Sequence, residues 1–443
     1  MKRPFPASSA ALWLAACAPP TSEGYEPPFD ANLLIVSIDT VRADHLSCYG
    51  YSERTTPTID RLAEDGHLFL SAQTPLPSTL PAHAALFTSL YPAQLGVWRN
   101  RQTVPTEAET LAEVLRREGF RTAAFISSAP LSDEFGIDQG FDLYDLPPAG
   151  GSRSDRTSGR AAEWLEENGD ERFFCFLHLI DPHTWYDAPD GDGKPWPPDR
   201  GYLSDPSVMT PEARRASVRA YDDELRFADR GLAAVIDALE RTGLKEETIV
   251  LVTSDHGETL EELLDEIPYA FGHGDYLYEH QLNVPLILWL PPGFPGRSPA
   301  RHAQVVTLLD VMPTALELLG LGVPDGLEGR SLAGLVRGGV AEPVPAIAAI
   351  RPRSPFSAPS YSVRTERWRW IHTPGSGDAL FDLAGDPRQE RDVAPAHPAI
   401  IDELRPLLET WRGRAEHPRW NTPQNALSLE LEREIQALGY AAE

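Results

Sequence analysis

The stretch "NLLIVSID", residues 32–39, decides the fold. Seven residues without a charge or a polar/apolar alternation predict a strand covered on both faces, as in a parallel sheet. Asp39 follows at its carboxyl end. Further strands are expected at 121–127, 172–180, 248–254 and 284–290, where similar apolar runs recur. Helical patterns lie between them at 56–66, 106–119 and 210–243, the first two opening on Thr56 and Thr106 and closing at Gly. This alternation predicts an α/β fold: a large, mostly parallel sheet flanked by helices. From about residue 345 the pattern becomes short strands at 361–373 and 379–386 and a helix at 399–411, expected to form a small α+β subdomain. A terminal helical pattern at 425–440 is expected to pack on the body.

In α/β sheets, ligands gather beyond the carboxyl ends of strands. Asp39 after one strand and Asp255-His256 after another, in "VTSDHGE", therefore converge as a candidate divalent-metal site. Thr79 in "STLPAHAALFTSLYP" precedes a helical run, where free N–H groups favour an oxyanion. A threonine there also suits plain helix capping.

The 443-residue chain has a formal net charge of −27 and 42% hydrophobic residues. It is long enough for a large core, and its acidity argues against nucleic acid as a partner. An anionic substrate needs a metal or local positive charge to offset that field. Lys2-Arg3, a short apolar run and Leu14-Ala15-Ala16-Cys17 resemble a bacterial lipoprotein signal, with Cys17 lipidated. The expected division is a signal at 1–17, a Pro-rich tether at 18–31, a catalytic domain at 32–345 and a C-terminal subdomain at 346–443. Localisation follows: the bacterial cell envelope, held to a membrane only through lipid and facing periplasm or exterior. Cys48 and Cys175 are expected to be packed rather than paired.

The ordered motifs "NLLIVSIDTVRADHLSCYGY", "STLPAHAALFTSLYP", "HLIDPHTWYDAP", "VTSDHGE", "GHGDYLYEHQLNVPLILWLP" and "LDVMPTALELLGL" resemble those of the sulfatase family within the alkaline phosphatase superfamily. The resemblance spans nearly all of residues 32–412. It implies an ester hydrolase with a metal held by Asp39, Asp255 and His256 and a nucleophile at Thr79, itself on the metal. It also implies His83 in place of the usual arginine, and His183 and His273 near the reacting oxygens or the leaving group. Asp181 and Thr40 are additional candidates, Thr40 standing where the family has a second aspartate, and Ser127 replaces a lysine. His178 and His280 read as structural. One ion is expected, calcium, magnesium or manganese, with zinc or a second metal as the alternative.

Sulfatases oxidise a Cys or Ser at the nucleophile position to formylglycine, which threonine cannot become. Phosphodiesterases of the superfamily carry an unmodified Thr in T-x-P-x-H, and "TLPAH" (79–83) fits that pattern. The expected substrate is thus an anionic ester, with phosphate or phosphonate (di)esters ahead of sulfate. A true sulfuric ester hydrolase and an inert anion-binding protein are the alternatives.

Overall fold

The computed structural model describes residues 30–147, 152–189, 210–260, 262, 272–352, 358–422, 428 and 431–433. The signal and Cys17, nearly all of the tether and most of the 425–440 helix lie outside the described residues. Among those described, no helix is long and apolar enough to cross a membrane.

The main sheet has eight strands: β1 (Asn32–Ile38), β2 (His67–Gln73), β3 (Arg121–Phe125), β4 (Leu143–Asp145), β5 (Phe173–Leu179), β6 (Thr248–Thr253), β7 (Asn283–Trp289) and β8 (Ala300–Thr307). Their order is β4-β3-β5-β1-β6-β7-β2-β8. Only β7 runs against the rest, pairing antiparallel with both β6 and β2. β1 sits centrally between parallel β5 and β6. Its side chains alternate between two cores, which explains the unbroken apolar run. Leu33 and Ile35 join one, with the helix Thr79–Thr88; Leu34, Val36 and Ile38 join the other, with the helices Ser154–Asn168 and Pro211–Thr242.

Three helical expectations meet different outcomes. The long helix Pro211–Thr242 is capped by Thr210, whose hydroxyl accepts from Ala213 N, and stops at left-handed Gly243. The helix expected from residue 106 begins only at Leu111. Thr110, not Thr106, caps it, because Thr110 and Glu113 form a reciprocal capping box. Thr56 makes no side-chain cap for the helix Pro57–Glu64. Asp229, on the long helix, instead accepts from Thr58 N and Ile59 N at 2.9–3.1 Å.

A second, antiparallel sheet, β9 (Ala346–Ile350), β10 (Ser360–Arg364), β11 (Trp368–Thr373) and β12 (Gly377–Asp382), packs with the helix Pro398–Ala415. Cys175 is buried and Cys48 half-buried, both unpaired. Arg369 on β11 joins the two sheets. Its buried guanidinium reaches Glu279 at 2.7 Å, Gln73 Oε1 on β2 at 2.5 Å and Ser362 Oγ at 2.9 Å, while Arg364 reaches the same Glu279 at 2.7 Å. Removing one partner of a buried pair strands the other. Arg369→Ala is expected to cost about 3–5 kcal/mol in urea unfolding; a loss below about 1 kcal/mol would show that apolar packing alone joins the sheets.

Candidate active site

Because β1 and β6 are parallel neighbours, the residues following them emerge side by side. Asp39 and Asp255 are both fully buried. Asp255 Oδ1 accepts from Thr40 N at 3.2 Å and His256 N at 2.9 Å, but its Oδ2 and both oxygens of Asp39 have no hydrogen-bond partner. His256 donates from Nδ1 to Gly257 O at 3.0 Å, which leaves an unpartnered Nε2 3.4 Å from Asp255 Oδ2 and 3.9 Å from Asp39 Oδ1. Gly257 is required here, since a Cβ would lie 2.1 Å from His280 O.

Burial pushes the Asp39 and Asp255 carboxyls up, Asp255 to about 6, and pushes His256 down to about 3. A neutral imidazole beside two buried carboxylates is a donor set for a divalent cation. The ligand atoms of these three residues lie within 4.8 Å of one another. Their orphaned atoms fit a bound cation: buried polar atoms seldom lack partners, and these converge.

Thr79 is the first residue of a helix buried on every side. Asn100 does the capping, accepting from Leu80 N at 2.9 Å and from Ser78 Oγ at 3.0 Å. The Thr79 hydroxyl is buried and unpartnered, so the capping role open to it in the sequence belongs to its neighbours. His83, one turn on, donates from Nδ1 to Thr79 O at 2.7 Å and accepts at Nε2 from Ser37 Oγ at 2.8 Å. Burial holds its pKa near 4. His83 is therefore neutral and does not replace an arginine's charge; it anchors the turn that carries Thr79, with Nδ1 3.9 Å from Asp255 Oδ2.

His183 donates from Nδ1 to Thr184 O at 2.8 Å, and its ring lies edge-on to His273 at 5.2 Å. The His273 ring is 4.1 Å from that of His256, and its Nδ1 is 3.4 Å from Glu258 Oε2. Burial raises the Glu258 carboxyl to about 7. Glu258 was not singled out in the sequence, although it ends the "SDHGE" run. His178, read from the sequence as structural, is fully buried, with its Nε2 unpartnered 3.6 Å from Asp39 Oδ2. His280 sits apart, bonded to Thr259 Oγ1 at 3.1 Å and stacked on Tyr278.

Two further candidates are otherwise engaged. Thr40, at φ 57°, donates its hydroxyl to Asp39 O at 2.8 Å. Asp181 Oδ2 accepts from Ser154 N and Ser154 Oγ while Oδ1 pairs with Arg153 at 3.3 Å; its oxygens secure the start of the helix Ser154–Asn168. Ser127 donates to His178 O at 2.5 Å.

A sheet carrying a metal-type triad and a helix-borne hydroxyl at its carboxyl edge defines a hydrolase of the alkaline phosphatase-like class. The family model described as Sulfatase matches residues 31–321, and the model described as N-sulphoglucosamine sulphohydrolase, C-terminal matches 270–413. The chain belongs to the sulfatase family, whose members hydrolyse esters. It is 24% identical to the Delta 4,5-hexuronate-2-O-sulfatase of Bacteroides thetaiotaomicron, over 91% of this chain and 92% of that protein. It is 23% identical to the ulvan-active sulfatase of Formosa agariphila, over 95% and 84%. Among solved structures, the phosphonate monoester hydrolase of Agrobacterium radiobacter superposes with a TM-score of 0.72 at 22% identity, covering 87% of this chain and 96% of that one. A 2-O GAG sulfatase also scores 0.72, at 21% identity, over 87% and 93%.

Behind Asp181, three carboxylates share Arg153: Asp187 at 2.6 Å, Asp181 at 3.3 Å and buried Glu224 at 3.3 Å. Burial, then the Asp181 carboxylate, push Glu224 from 4.5 up to about 8 against the opposing pull of Arg153. The folded state thus holds a proton that the unfolded chain releases near 4.5, so stability falls as pH rises from there through about 8. Thermal melts at about pH 5 and about pH 8.5 are expected to show a smaller loss for Glu224→Gln than for wild type. Equal losses would assign the pH dependence to other groups.

Proposed function

We propose that this chain is a metal-dependent hydrolase of phosphate or phosphonate esters in which unmodified Thr79 is the nucleophile. One observation carries the reading: the Thr79 hydroxyl is buried, unpartnered and held at a helix start by Asn100 and His83, on the same carboxyl edge as three orphaned carboxylate oxygens. Asp39, Asp255 and His256 would hold one divalent ion per chain, which polarises a phosphoryl oxygen and makes a nearby hydroxyl more acidic.

Thr79 Oγ1 bonds to phosphorus in line with the departing ester oxygen, and its proton is released to solvent water. His273, held against Glu258, protonates the leaving oxygen, so one proton is lost and one delivered in this half-reaction. His183, stacked edge-on to it, lines the same side. Water then attacks phosphorus, and Thr79 leaves with a proton that the water supplies. A phosphoryl or sulfuryl group on threonine has no carbonyl route of release, and hydrolysis at phosphorus is the path this superfamily already uses.

The names of the relatives favour a second reading, a sulfuric ester hydrolase acting on sulfated carbohydrate. The two separate on matched p-nitrophenyl esters: sulfate, phosphate monoester, phosphate diester and phosphonate. Faster turnover of a phosphorus ester, lost at least about 1000-fold in Thr79→Ala, is the expected result. Dominant sulfate turnover would favour the second reading, activity surviving Thr79→Ala would remove the nucleophile, and a metal-loaded protein inert to every ester would fit an anion-binding protein. We also place the chain at a bacterial membrane surface, anchored through Cys17 and facing periplasm or exterior, on the strength of the Leu14–Cys17 motif. Cys17→Ala is expected to move the protein to the soluble fraction; unchanged membrane association would refute the anchor.

A further inference from the structure

The turn that carries His183 is held at both ends by one side chain. Arg153 stands just before the helix Ser154–Asn168, and its guanidinium reaches Asp181 Oδ1 at 3.3 Å and Asp187 Oδ1 at 2.6 Å. These two carboxylates bracket the segment 181–187, in which His183 is the third residue. The remaining nitrogen of the fork meets Glu224 Oε2 on the long helix at 3.3 Å, and Glu224 Oε1 accepts from Asp187 N. Phe227, about one turn along the same helix, lies under the guanidinium with its ring centre 4.8 Å from the central carbon. A guanidinium presents its donors in a rigid planar fork, so three carboxylates and a ring fix its orientation, and it fixes theirs.

Asp181 Oδ2 secures the helix start by accepting from Ser154 N at 2.7 Å, so the ties to Asp187 and Glu224 serve the turn instead. Inside the turn, His183 donates from Nδ1 to Thr184 O at 2.8 Å. Tyr186 is buried and packs edge-on to Tyr221 at 5.6 Å, and the Tyr221 hydroxyl donates to Thr40 O at 2.8 Å. One pair of rings thus ties the turn to the backbone after Asp39, while the Arg153 fork sets its two ends. Between these fixed points the His183 ring meets His273 edge-on at 5.2 Å, and His273 in turn lies 4.1 Å from His256.

We propose that Arg153 is the positioning residue for His183: it acts through that imidazole on the leaving-group side of the ester, rather than through contact with the substrate. A misplacement of about 1 Å can cost a reacting group about a hundredfold in rate, and the fork is what holds both ends of 181–187 in place. This rests on the placement of His183 proposed above, but not on whether the ester is one of phosphorus or of sulfur. The test uses the full metal-loaded chain as wild type, Arg153→Gln, His183→Ala and the double variant, with Asp187→Asn as a second way to loosen the turn. For each, kcat and KM are measured on the p-nitrophenyl and phenyl esters of phosphate, methylphosphonate and sulfate, beside thermal melts and metal content.

Arg153→Gln should lower kcat on the phenyl ester about tenfold to a hundredfold, with KM held within about twofold. The loss should be smaller on the p-nitrophenyl ester, whose leaving oxygen needs little protonation. Added to His183→Ala, Arg153→Gln should change kcat by less than about twofold, because the group it positions is already gone. Asp187 is half-exposed, so Asp187→Asn should show the same leaving-group pattern and the same non-additivity at smaller size, even where Arg153→Gln fails to fold. Full additivity with His183→Ala, equal loss on both leaving groups, or a loss seen only as a raised KM would each overturn the proposal. So would wild-type kcat in folded Arg153→Gln and Asp187→Asn. Wild-type kcat in His183→Ala would remove the placement of His183 and the proposal with it, whereas a wild type inert to every ester would end the proposed function as well.

Discussion

The structure is organised around buried negative charge without a resident counter-charge. Asp39 and Asp255 stand side by side at 0% exposure with three of their four oxygens unpartnered. Burying an ion without a partner costs several kcal/mol, so the folded chain either keeps protons there or recruits a cation. The chain has three lysines, Lys2, Lys194 and Lys245, and the nearby Arg42 is taken up by Asp44 and Glu262. Neighbouring elements hold the carboxylates in place rather than neutralise them. Ser254 Oγ secures Val41 N and donates to His256 O, and Tyr221 on the long helix bridges Thr40 O and Arg42 N. The segment after β6 and the long helix thus converge on one turn of chain after β1.

The nucleophile side follows the complementary rule. The cap of the Thr79–Thr88 helix and the ring of His83 are held by neutral partners, Asn100 Oδ1 for the cap and Ser37 for His83. What remains unsatisfied is the Thr79 hydroxyl, together with Asn100 Nδ2. A helix buried on all sides needs no solvent face, so it can be threaded through the core and start its first turn at the reacting position.

Sequence pattern alone marked β1, β3, β5, β6 and β7, because strands covered on both faces carry long apolar runs. It passed over β2 and β8. "HLFLSAQ" mixes polar with apolar, and "ARHAQVVT" is an edge strand with exposed positions, so neither has a distinctive period. The carboxylates and His256 were legible because strand ends concentrate ligands. His178 and Glu258 were not. A histidine inside an apolar run reads as packing, and only register and burial show it facing Asp39. The Thr79 cap, the Thr106 start and Asp181 mislead for one reason: a short polar side chain near a helix or loop has several local partners, and tertiary contacts choose among them.

Thr40 sits in a backbone conformation that its own side chain disfavours. A β-branched residue at φ 57° is an outlier, whereas aspartate and asparagine visit that region far more readily. The backbone after Asp39 therefore suits aspartate or asparagine better than the threonine that stands there. Either residue could take position 40 without rebuilding the turn, so this position can change its side chain at little structural cost.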